Sequence, residues 1–102
     1  MARPRTELQT ILETILGSRN VYFQPPESVK LKYPCVVYER VGGHTLHADN
    51  LKYRKLKRYN VTYMDEDPDS ETPDVIEDLK YCELSNTFRN DNLNHWVFTI
   101  YF

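Results

Sequence analysis

The chain has 102 residues, enough for one domain and too few for two. Hydrophobic residues make up 40% and charged residues 27%, ordinary for a soluble globular protein, and no apolar run approaches the length of a membrane span. The formal net charge of −2 singles out no partner, but its distribution is uneven: residues 1–64 carry 11 Lys/Arg against 5 Asp/Glu, and residues 65–102 carry 2 against 10.

Leu8, Ile11, Leu12, Ile15 and Leu16 recur at helical spacing and predict a helix over about 5–17. Thr6 with Gln9 reads as a capping box and Gly17 as the stop, with Glu7 and Glu13 on the solvated side. A short strand follows over 20–24, cut off by Pro25-Pro26, and 27–33 reads as loop. Cys35 to Val41 is nearly all β-favouring, and its apolar run predicts a central strand buried on both faces. Gly42-Gly43 ends it, and a long polar loop is expected at about 42–55.

The next strand is expected over Leu56 to Met64, with Tyr59, Val61 and Tyr63 on one face and Arg58, Asn60 and Thr62 on the other. Residues 65–71 form an acidic turn. Thr72-Pro73 then opens a second helix, with Thr72 as N-cap, Val75, Ile76 and Leu79 as its buried side, and an end near Lys80. The last twenty residues predict a hairpin turning at Asn90-Asp91-Asn92. Cys82, Leu84 and Phe88 are expected on one face of its first strand; in its second, Trp96, Phe98, Ile100 and Phe102 oppose His95, Val97, Thr99 and Tyr101. The order α-β-β-β-α-β-β is that of an α+β domain, with two helices packed on one face of a mainly antiparallel sheet.

No segment carries a strong catalytic signature. There is no Gly-rich phosphate loop, nucleophile elbow or zincin motif, and His95 in a strand reads as a packed residue rather than a base. His44, His47 and Asp49 are spaced loosely for a metal and read as a solvated or interfacial loop. Asp65, Asp67, Asp69 and Glu71 alternate like the start of a calcium loop, but the loop's required Gly is Ser70 and its final Glu is Ile76. Cys35 and Cys82 match no metal or redox spacing and read as reduced, buried thiols of a protein first made in the cytoplasm. No cofactor is implied. Lys52, Arg54, Lys55, Lys57 and Arg58, interleaved with Tyr53 and Tyr59, suit either a nucleic acid or an acidic protein surface, and the acidic whole favours the protein.

Several segments together carry a resemblance. They are Val21-Tyr22-Phe23-Gln24-Pro25-Pro26, Lys32 to Glu39, Ala48-Asp49-Asn50-Leu51-Lys52-Tyr53, Asp67-Pro68-Asp69-Ser70 and Asp91 to Phe102. In this order the chain resembles the tail terminator, or tail-to-head joining, subunits of long-tailed bacteriophages. The resemblance implies a non-enzymatic virion protein of the tail or neck, assembled in the host cytoplasm. It implies a homo-oligomeric ring, typically a hexamer, that caps the tail tube protein and meets the head-tail connector, with DNA passing through without specific binding. It transfers no catalytic residues. Another neck component, a head-closure or connector protein, is the nearest alternative, and a small nucleic-acid-binding module or a metal-dependent enzyme are the more distant ones. Subunits of a cyclic ring meet through two different patches. The basic residues Lys52, Arg54, Lys55 and Lys57 and the acidic residues Asp65, Asp67 and Asp69 are the expected interface positions.

Overall fold

A computed structural model describes residues 4–41 and 57–102. The order is α1 (Arg5–Leu16), β1 (Val21–Phe23), β2 (Cys35–Val41), β3 (Arg58–Asp65), α2 (Thr72–Glu77), β4 (Cys82–Asn90) and β5 (Leu93–Tyr101). The strands form one sheet in the order β1-β2-β3-β5-β4, antiparallel throughout except for the parallel β1–β2 pair. This is the expected α+β plan. The expected polar loop at 42–55, with Leu56 as a strand start, lies outside the described residues.

The core lies on one face of the sheet. Cross-strand pairing lines up Val36, Tyr63 and Trp96, then Tyr38, Val61 and Phe98, then Tyr59 and Ile100, with Cys82 beside Ile100. Leu8 and Leu12 from α1 and Ile76 from α2 close over these rows, so both helices cover the same face. Period-two alternation in β3 and β5 delivers this directly, because consecutive strand residues point to opposite sides. Phe98 sits at the centre with no exposed surface.

Local chemistry shifts several details. α1 starts at Arg5 behind an extended Pro4, with no side-chain cap, so Thr6 lies inside the helix and the capping box does not form. The reason is Arg5, whose guanidinium lies 4.2 Å over the Phe23 ring and donates to the Tyr38 hydroxyl at 3.0 Å. Gln9 is drawn inward as well. Its amide donates to Val21 O and to the half-buried Glu13, each at 3.0 Å. Gly17 does end the helix in the left-handed region, φ 77°, where an L side chain is strained.

β2 is buried on both faces only at its start, where Cys35 and Val36 point to opposite sides and are both fully buried. Tyr38 continues the burial on the helix side, Val37 opposite is half-buried, and Glu39 and Arg40 are exposed. Helices cover only one side, so the apolar run is longer than its burial. α2 begins at Thr72 with Glu71, not Thr72, at the N-cap position, and stops at Glu77. In a helix this short, Pro73 and Ile76 take the inner stripe with Leu79 beyond them, and Val75 is left 49% exposed.

The largest departure is in β4. A bulge between Leu84 and Asn86 shifts its register against β5. Before it, Cys82 and Leu84 pair with Ile100 and Phe98 on the helix side; after it, Phe88 pairs with His95 on the opposite face. One extra residue in a period-two strand inverts everything beyond it. Phe88 is therefore parted from Cys82 and Leu84 and stacks on His95, with centroids 4.4 Å apart and rings 11° from parallel. The hairpin closes through Asp91 and Asn92, both with positive φ (51° and 65°), the two-residue geometry that suits strand twist.

Phe98→Ala is expected to cost about 3–5 kcal/mol, seen as a lower denaturant midpoint at unchanged slope. Asn92→Gly is expected to hold or slightly raise the thermal midpoint. Asn92→Val is expected to lower it by the worth of about 1–2 kcal/mol, because a branched side chain resists the left-handed region. Equal midpoints for the Gly and Val variants would contradict the turn geometry.

Candidate functional site

The expected interface residues that the structure describes, Lys57, Asp65, Asp67 and Asp69, lie at or beyond the two ends of β3. Lys57 immediately precedes the strand and exchanges backbone hydrogen bonds with Phe102 at 3.0 and 2.8 Å, while Arg58 begins it. Asp65 ends it and leads into the acidic turn. Eight extended residues separate the two ends by roughly 24 Å. That exceeds the ~8 Å screening length at physiological ionic strength, so Lys57 and Arg58 do not neutralise the acidic turn of their own chain. Lys52, Arg54 and Lys55, like His44, His47 and Asp49, lie outside the described residues.

The acidic turn is built from internal hydrogen bonds. Asp65 Oδ1 accepts from the Asp67 backbone N–H at 3.0 Å, and Asp67 Oδ1 accepts from that of Asp69 at 2.9 Å. Each is an aspartate folding the chain two residues on. Beneath them, the Tyr63 hydroxyl donates to Asp65 Oδ2 at 2.5 Å and lies 3.1 Å from Ser70 Oγ, which accepts from the Thr72 N–H at 3.3 Å. Asn94 adds donations to the carbonyls of Asp65 and Glu66 at 3.2 and 3.3 Å. Glu66, Asp67 and Asp69 remain exposed. Among the described residues, no three His, Cys, Asp or Glu side chains converge to hold a metal. The calcium-like spacing instead serves the turn: Asp65 and Asp67 use oxygens to hold its backbone.

The contrast between the two ends is less complete than the sequence halves suggest. β4 returns acidic groups to the Lys57 end, since Cys82 pairs with Ile100, and Ile100 with Tyr59. The Cys82 thiol reports this: burial pushes it up to about 12, and the nearby Glu77 and Glu83 carboxylates push the same way. Burial alone lifts Cys35 to about 11. Both cysteines are free thiols held in the protonated form.

Sequence reasoning missed the Tyr63–Asp65–Ser70 network, because a tyrosine two residues before an aspartate is no recognised signal. It also missed the Phe88–His95 stack, which depends on the bulge. A shallow depression of about 340 Å³ lies around that stack, lined by Thr87, Phe88, Arg89, Asn94, His95 and Trp96. His95 Nδ1 lies 3.2 Å from Leu93 O within its own strand.

The buried rings set a pH dependence. Burial raises Tyr38, Tyr59 and Tyr63 above the usual tyrosine value; Arg5 partly opposes this at Tyr38, and Arg40 then Arg5 at Tyr59, whereas the Asp65 bond adds to it at Tyr63. A group whose folded pKa is raised releases its proton more readily when unfolded. Its stabilisation is complete below the unfolded pKa and is lost as pH climbs through the folded one. Stability is therefore expected to hold up to about pH 8.5, where unfolded thiols begin to ionise, and to fall steeply above about pH 10. Urea midpoints that stay level to pH 11 would contradict it. Compared with known proteins, the chain matches no family model, no curated protein and no solved structure.

Proposed function

We propose that this chain is a non-enzymatic structural subunit of a long-tailed phage: a tail terminator whose ring caps the tail tube and joins it to the head connector. The resemblance described above supplies the family. The observation that carries the assembly reading is the placement of Lys57 and Arg58 at one end of β3 and the acidic turn at the other. Two unlike patches that cannot meet within one chain suit head-to-tail contact between neighbours, which generates a closed ring when the rotation closes. The basic stretch containing Lys52, Arg54, Lys55 and Lys57 packs against the turn carrying Asp65, Asp67 and Asp69 of the next subunit. Because Tyr63 and Asn94 hold that turn, little ordering is needed on contact.

Native mass spectrometry and light scattering test this with two reversed variants. One carries Arg54, Lys55 and Lys57→Glu; the other carries Asp67 and Asp69→Lys. Each alone is expected to weaken ring formation at least tenfold, most visibly at low salt, where exposed charges act furthest. Mixed in equal amounts they are expected to restore the ring, because each reversed patch then meets its complement. A monomeric wild-type protein would sink the ring reading. A mixture that stays dissociated would sink the charge pairing.

A further inference from the structure

Both outer strands of the sheet carry an outward backbone group occupied by an amide side chain. In β1, Asn20 O accepts from Val36 N–H and Gln24 N–H donates to Tyr38 O, each at 2.9 Å. In a parallel pair this turns the alternate residues Val21 and Phe23 outward, and Gln9 Nε2 caps the Val21 carbonyl at 3.0 Å. In β4 the Asn90–Leu93 pair closes the two-residue turn and faces β5. Alternation from there turns the Thr87 N–H outward, and Asn86 Oδ1 accepts from it at 2.9 Å. Asn86 is a bulge residue near the middle of an edge whose residues 83–90 are all exposed.

An open edge strand is a template for another chain, and proteins blunt such edges with bulges, charges and prolines. β1 has three residues with Pro25-Pro26 just beyond, so its edge is already short. β4 has nine residues, and Leu84 and Phe88 on it are large and exposed. We infer that Asn86, seconded by Gln9, is an edge guard: its side chain occupies a main-chain donor that would otherwise pair with the β4 edge of a second copy. This role is independent of the charged ends, because it concerns sheet-to-sheet pairing rather than ring contacts.

Sedimentation velocity across a concentration series tests the role. Asn86→Ala is expected to raise self-association roughly tenfold, about the worth of one freed hydrogen bond, as growth not limited to the wild-type species. Asn86→Asp keeps the acceptor and is expected to behave as wild type. Adding Thr87→Pro to Asn86→Ala removes the outward donor and is expected to abolish the growth. Thermal unfolding of each variant identifies any association that comes from loss of fold. The inference is overturned if folded Asn86→Ala sediments as wild type at every concentration, or if Thr87→Pro leaves its growth intact.

Discussion

A core built around tyrosine imposes a condition that leucine does not: each buried ring ends in a hydroxyl that needs a partner. Tyr38 and Tyr63 are fully buried side chains, and their hydroxyls bond to different elements. The Tyr38 hydroxyl donates to Gln9 and accepts from Arg5, which fixes the entry of α1. The Tyr63 hydroxyl meets Asp65 and Ser70, which fixes the acidic turn and the approach to α2. The two helices are thus placed by the same chemistry that fills the core. Tilted ring contacts, Phe23 with Tyr38 and Tyr63 with Trp96, join both tyrosines to the rest of the core.

Where one periodicity dominates, the sequence was enough. β3 and β5 alternate without interruption, and their inward rows Tyr59-Val61-Tyr63 and Trp96-Phe98-Ile100 are read correctly from spacing alone. The stripe of α1 is equally plain, with Leu8 and Leu12 fully inside. Failures fall where a long-range partner outbid a local signal. Gln9 had the spacing of a capping residue but is held by Val21 and Tyr38, far away in sequence. Val75 had the right hydrophobicity, yet the helix is too short to bury it. Phe88 had the right parity, but parity does not survive a bulge.

The candidate interface was legible as charge and not as geometry. The acidic residues were visible in the composition of one segment, but nothing local says that their backbone is cross-braced from β3 and β5. Nor does composition say that Glu77 and Glu83 return beside Cys82, which tempers the basic end. Charge counted along the chain overstates charge separated in space. The turn keeps its distance from Lys57 only because a whole strand intervenes.

The bulge in β4 makes one residue of the strand dispensable to its pairing. Suppose a related chain lacked only Ser85. Leu84 would still pair with Phe98 and Asn86 with Val97, so β4 would alternate simply and every residue on either side of the gap would keep its face. Phe88 would stay on His95 and Thr87 beside Trp96; what would go is the unpaired residue and the local bend it brings. A chain that kept Ser85 but lost the bulge would instead have to slip its turn by one residue, and only then would Phe88 cross to the helix side. Among relatives, an alignment gap at this one position would therefore mark a straighter edge with the same exposed side chains, whereas a gap in the turn would mark a changed outer surface.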